Sequence, residues 1–128
     1  MNSVNFADQI IFMEKSSIKI DLSLDDQRMP DKISWNATDT TADEDRVAKA
    51  MLLSFWDGED RTALRIDLWT KSMMVDEMAD FFYQTFMSMA ETYQRATRNQ
   101  ELSNEIKKFG QEFYQKFQQM GSQEPRTK

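Results

Sequence analysis

The hydrophobic period of this chain changes once. In the strand-like segments between about residues 18 and 70 apolar side chains recur at every second position, and beyond them they recur every three to four. Period two marks a half-buried strand and period 3.6 an amphipathic helix, so a strand-rich first half precedes a helical second half. Strands followed by helices, rather than alternating with them, give an α+β fold. Charge changes at the same place: residues 1–70 carry 14 acids and 8 bases, whereas residues 71–128 carry 8 of each. At 128 residues one domain is expected, over residues 16–120. Residues 1–15 show no period and read as an extension without fixed structure, with Met13 an alternative natural start. Residues 121–128 read as a disordered tail.

Ile18, Ile20, Leu22 and Leu24 alternate with polar residues, as do Ile33, Trp35 and Ala37. Opposing Leu24 to Ile33, Leu22 to Trp35 and Ile20 to Ala37 puts every apolar side chain on one face. Thr41 to Glu44 matches a capping box and predicts a short helix from about Ala42 to Ala50. A second hairpin follows, with Asp57 opposite Thr62, Phe55 opposite Leu64, Leu53 opposite Ile66 and Met51 opposite Leu68. Val75, Met78, Phe82, Phe86, Met89, Tyr93 and Ala96 form one helical stripe, with Asn99 as its left-handed stop. Leu102, Ile106, Phe109, Phe113, Phe117 and Met120 form another, closed by Gly121 and Pro125. The expected architecture is a four-stranded antiparallel sheet, ββ-α-ββ-αα, with the two C-terminal helices packed on one face.

Composition removes much chemistry. The chain has no cysteine and no histidine, which excludes disulfides, thiolate nucleophiles, imidazole bases and metal sites built on nitrogen or sulfur ligands. A net charge of −6 argues against nucleic acid, whose affinity rests on clustered Lys and Arg. The acidic run Asp39, Asp43, Glu44, Asp45 lacks the mid-loop glycine and ligand spacing of a calcium loop, and reads as a helix cap. Asp57, Glu59 and Asp60 around Gly58 are ordinary turn residues rather than catalytic carboxylates. Three glycines in the whole chain leave no phosphate loop. No enzyme, metal or cofactor is expected. No apolar run reaches the ~20 residues of a membrane span, and the N-terminus lacks the pattern of a secretory signal. A cytoplasmic location is therefore expected.

One surface invites binding. The register that turns Phe55 and Leu64 inward turns Leu52, Ser54 and Trp56 outward, beside Ala63, Arg65, Asp67 and Trp69. Tryptophan and arginine are enriched in binding hot spots, so Leu52, Trp56, Arg65, Asp67 and Trp69 form a candidate protein-interaction face. The competing reading is that the short helix or the N-terminal extension covers it. Met73, Met74 and Met87 fit the helical stripes poorly and are secondary candidates for outside contacts.

Three segments carry a resemblance: residues 33–39 (ISWNATD), 49–57 (KAMLLSFWD) and 64–71 (LRIDLWTK). Val75-Asp76-Glu77-Met78, Phe81-Phe82 and Ala90-Glu91-Thr92 continue it in order. Over about residues 16–120 the sequence resembles the gliding-motility-associated GldC family. The resemblance implies an accessory protein of gliding motility in bacteria that crawl over surfaces without flagella. It implies a small soluble protein and offers no catalytic motif to carry over. The expected function is a non-enzymatic adaptor contacting other gliding-apparatus proteins, through that face or through an exposed sheet edge that adds a strand, and a homodimer is compatible with it. The alternative is a small-molecule binder with an apolar pocket between sheet and helices, lined by Phe81, Phe86, Tyr93, Phe109, Phe113 and Phe117.

Overall fold

The computed structural model describes residues 14–38 and 45–123. The chain divides in sequence, between Ser72 and Met73, into two compact units. Among the described residues the first holds five strands: β1 (Ile18–Leu24), β2 (Pro30–Ala37), β3 (Arg46–Ala48), β4 (Ala50–Asp57) and β5 (Thr62–Trp69). The second holds two helices, α1 (Val75–Thr97) and α2 (Gln100–Gln123). The α+β class is as the period predicts.

The single four-stranded sheet is not what forms. There is a three-stranded antiparallel sheet, order β1-β2-β3, and a separate two-stranded ribbon of β4 and β5. The expected helix over Ala42–Ala50 is also corrected: residues 42–44 lie outside the described residues, and from Arg46 the backbone is strand. The cause is backbone hydrogen bonding. β2 needs a second neighbour, and Ala48, Val47 and Arg46 supply it opposite Ile33, Ser34 and Trp35. A buried edge left unpaired is costlier than a mild helical preference. The Arg46 guanidinium also lies 5.9 Å from the centre of the Trp35 ring, a favourable cation–π distance. At Lys49 the chain bends and changes partner. The Thr70 N–H and Oγ1 both donate to the Lys49 carbonyl, at 2.8 and 3.1 Å, and Thr70 is buried there. One nearly continuous stretch thus serves two sheets.

The first hairpin keeps its apolar face but shifts by two residues. Leu22 opposes Ile33, Ile20 opposes Trp35 and Ile18 opposes Ala37, with an irregularity at Ser23 and Leu24. The turn is responsible. Asp25 Oδ1 accepts the N–H groups of Gln27 and Met29, each at 2.9 Å, and Arg28 takes a left-handed φ of 63°. This self-capped turn draws Leu24 against Pro30. An even shift leaves sidedness intact. Ile33, 1% exposed, is the most buried large apolar residue of the unit.

In the helical unit the seam lies beside the expected stripes. Ala79 and Ala90 on α1 and Ser103 and Gly110 on α2 are buried. Val75, Met89, Leu102, Phe109 and Met120 from the expected stripes stay exposed. Small residues let the backbones approach: a Cβ placed on Gly110 would stand 3.1 Å from Phe86 Cβ. Ser103 Oγ donates to the Ala90 carbonyl at 2.7 Å. Around this seam Phe86 meets Phe109 and Phe113 edge-on at 5.3 and 5.4 Å between centroids. Tyr83 stacks on Tyr114 at 4.8 Å, and a hydrogen bond to the Asp80 carboxylate pushes the Tyr114 phenol pKa up.

The caps differ in one detail from expectation. Arg98, not Asn99, takes the left-handed stop, with φ 61° and its N–H on the Gln94 carbonyl at 2.7 Å. Asn99 instead caps the next helix, its Oδ1 accepting from Leu102 N–H at 3.0 Å. At the start of α1, Glu77 Oε1 accepts the Met74 N–H at 3.0 Å. The second helix runs through Gln123, slightly past the stop at Gly121.

Candidate protein-interaction site

The β4–β5 ribbon positions every residue of the candidate face. Its pairing follows the register that the alternation predicts: Phe55 opposes Leu64, Leu53 opposes Ile66 and Met51 opposes Leu68. The turn explains why this one can be read directly. Asp57 Oδ1 accepts the Glu59 and Asp60 N–H groups at 2.9 and 3.2 Å, and Arg61 rather than Gly58 takes the left-handed φ, 54°. The Asp57 carboxylate is spent on turn geometry, as its turn reading requires.

On one face, Leu52 opposes Asp67, Ser54 opposes Arg65, Trp56 opposes Ala63 and Ala50 opposes Trp69. The five candidate residues therefore share a surface. Trp56 is 63% and Trp69 60% exposed, whereas Leu52 is half-buried. The arrangement is a strip rather than a cluster. Trp56 sits at the turn end and Trp69 at the other, about 20 Å apart at the strand rise of ~3.3 Å per residue. Between them Arg65 and Asp67 lock in a two-point ion pair, Nε to Oδ2 at 3.1 Å and Nη2 to Oδ1 at 3.0 Å. This pair neutralises the middle of the strip while leaving both groups solvent-accessible.

The opposite face of the ribbon is also open near its turn. Phe55, Leu64 and Ile66 are between 51% and 60% exposed, while Met51, Leu53 and Leu68 toward the base are half-buried. Sequence reasoning treats this face as interior and so misses its exposure. A polar outer face would have signalled the difference, but both faces carry large apolar side chains and alternation alone cannot rank them.

The remaining candidates are placed as follows. Met87 belongs to the helix seam, its sulfur 3.4 Å from where a Gly110 Cβ would stand. Met73 is half-buried and Met74 exposed. Of the acidic run, Asp39, Asp43 and Glu44 lie outside the described residues and Asp45 is exposed. Among the described residues no three acidic side chains gather to hold a metal ion, and no helix is long and apolar enough to cross a membrane. One further ion pair joins separate parts of the first unit. Asp25 Oδ2, which has no other partner among the described residues, pairs with the Lys71 ammonium just beyond β5. Lys71 and the Met29 N–H hold the Asp25 carboxyl below its ordinary pKa, and Asp25 raises that of Lys71. This contact ties the β1–β2 turn to the end of the ribbon.

Comparison with curated proteins and with solved structures returns no match. A family model does match, described as gliding motility-associated protein GldC-like, over residues 30–119. That span begins with β2, contains all of β3, β4, β5 and α1, and ends within the last turn and a half of α2. It covers more than half of the chain and the whole candidate face, so the chain belongs to the GldC-like family of gliding motility-associated proteins.

Proposed function

We propose that the protein is a non-enzymatic adaptor of the bacterial gliding apparatus. It works from the cytoplasm by protein–protein contact through the strip formed by Leu52, Trp56, Arg65, Asp67 and Trp69. The observation that carries this reading is the pair of tryptophans held more than half exposed on a regular strand surface. An exposed indole loses apolar area from water on docking and keeps one N–H for a partner's acceptor. Two of them, anchored on paired strands rather than on loops, present that area with little conformational entropy to lose. The Arg65–Asp67 pair between them sets polarity without net charge, which favours register over raw affinity. Family membership supplies the biological setting of the partner.

The test is affinity purification of the tagged chain from its native cells after mild crosslinking, with mass spectrometry of the captured proteins. Gliding-apparatus components should be enriched over an unrelated acidic control. Their recovery should fall at least about tenfold with Trp56→Ala and Trp69→Ala together, the loss of two hot-spot side chains. Undiminished recovery by the doubly substituted protein, with an unchanged circular dichroism spectrum, would remove the strip as the binding surface.

A further inference from the structure

The outer edge of β5 is unpaired among the described residues: its ladder partner is β4 on one side only. Which backbone groups that edge offers follows from one hydrogen bond. The Thr70 N–H points at Lys49, toward β4. Backbone groups alternate in direction along a strand, so those of Leu68, Ile66 and Leu64 also face β4. Those of Trp69, Asp67, Arg65 and Ala63 face outward. Four consecutive outward positions make a complete edge. It has no proline, no lysine and no bulge, three of the devices that keep a strand edge from pairing with another chain, and its two charged residues, Arg65 and Asp67, are paired with each other.

The sequence along that edge is complementary to itself. In an antiparallel pairing with a second copy centred on Ile66, Arg65 stands across from Asp67 of the other copy, and Asp67 across from its Arg65. Leu64 meets Leu68, and Ala63 meets Trp69. The Arg65–Asp67 pair already formed within each chain would then close with that of the other copy into a square of alternating sign, with no like charges directly opposed. The hydrogen-bond phase agrees with this register. A two-fold axis at Ile66 makes that residue a non-hydrogen-bonded pair with itself, and makes Arg65–Asp67 and Ala63–Trp69 the hydrogen-bonded pairs. Those are the four residues whose backbone groups face away from β4. A slip by one residue would set Arg65 against Ile66 and turn every apolar side chain to the wrong face.

We infer that β5 is the interface of a two-fold homodimer, in which two ribbons join edge to edge about Ile66 into one four-stranded antiparallel sheet, β4-β5-β5-β4. An isolated two-stranded ribbon is marginal and three or more strands are stable, so pairing supplies what this ribbon lacks. The strip described above would then run across both copies, with a Trp69 from each flanking the charged centre. The inference does not depend on the adaptor reading, since it rests on the edge and its register alone. The edge of β1 is the rival. Lys19 and Asp21 flank Ile20 with the same sign pattern, but their ion pair is longer, 3.7 Å. That strand also carries an edge lysine and breaks register at Ser23 and Leu24.

The experiment is sedimentation velocity on the full chain across micromolar concentrations, together with cysteine crosslinking, for which a chain without cysteine is suited. The wild type should sediment with twice the 15.1 kDa chain mass. Arg65→Asp should shift it to monomer, and Arg65→Asp with Asp67→Arg should restore the dimer by exchanging the two signs. Recovery by the double variant separates the interface from simple misfolding. Ile66→Cys should oxidise to a disulfide-linked dimer, because non-hydrogen-bonded partners stand about 4.5 Å apart at Cα, within disulfide reach. Leu64→Cys, facing Leu68 instead, should crosslink far less. A wild type that stays monomeric, a dimer indifferent to the charge changes, or crosslinking through Ile20→Cys in place of Ile66→Cys would each overturn the proposal.

Discussion

The two long hairpins of the first unit make an instructive pair. They are nearly equal in length, seven and eight residues for β1 and β2, eight and eight for β4 and β5. Yet β1–β2 gains a third strand and buries Ile33, while β4–β5 stays two-stranded with apolar side chains exposed on both faces near its turn. Alternation specifies which residues share a face. It does not say whether that face will be covered, because covering is done by residues far away in sequence. A hairpin with one buried anchor behaves as part of a core, and one without behaves as a surface awaiting a partner.

The sharpest way to break this contrast is to remove the anchor. Ile33→Ala should destabilise the first unit by about 2–5 kcal/mol, the usual cost of an aliphatic cavity. Leu64→Ala, on the exposed part of the ribbon, should cost about 1 kcal/mol or less at concentrations where the chain is monomeric. Urea denaturation of both variants checks the difference. Equal losses would mean that the ribbon is as much core as the sheet.

The helical unit offers a third kind of burial, by small residues, and an intermediate effect. Gly110→Ala gains about 1 kcal/mol of helix propensity, but its new methyl would meet Phe86 Cβ, which cannot rotate away. Overpacking of this kind costs ~1–3 kcal/mol, so a net loss is expected by thermal denaturation. Gly121→Ala, with nothing within 4 Å of its added carbon, should be neutral or slightly stabilising, since alanine is the better helix former by ~1 kcal/mol at most. Ser103→Ala should cost about 1 kcal/mol, the typical worth of one hydrogen bond. Amide exchange at the seam would report it locally.

The turns sharpen the hairpin comparison at the smallest scale. Asp25 and Asp57 both cap their own turns, but only Asp25 also pairs with a distant cation. Because folding lowers the Asp25 pKa, its contribution is fully present above the ordinary aspartate value and is lost as pH falls through the folded value. Because folding raises the Lys71 pKa, its contribution is present below the ordinary lysine value and fades as pH rises through the folded one. The stability difference between wild type and Lys71→Met should accordingly persist across neutral pH and vanish at both extremes. It should be small and shrink with salt, since the lysine is largely exposed. A difference that stays constant from acid to base would assign the effect to something other than this pair.

Much of this was legible in the residues, for identifiable reasons. The α+β class and both apolar hairpin faces follow from side-chain period, which is a property of the local chain. The register of β4–β5 was readable because Asp57 and Thr62 bound a short turn with little freedom. The register of β1–β2 was not, because the Asp25 turn and the irregularity beside it consume residues that alternation cannot assign. The helix seam escaped for a different reason. Ala79, Ala90, Ser103 and Gly110 matter through the closeness they permit, and a reading based on large apolar residues passes over them.

Local chemistry fixed the four long strands, the two C-terminal helices, which side chains share each hairpin face, and the absence of cysteine and histidine chemistry. Tertiary structure alone decided that Arg46–Ala48 is a strand, since what holds it there is pairing with β2 and the contact of Arg46 with Trp35. It also decided that Lys49 divides one stretch between two sheets, and that Trp56 and Trp69 stand at opposite ends of an open strip. Backbone hydrogen bonds and burial are satisfied between segments distant in sequence, and no local pattern contains the identity of the segment that satisfies them.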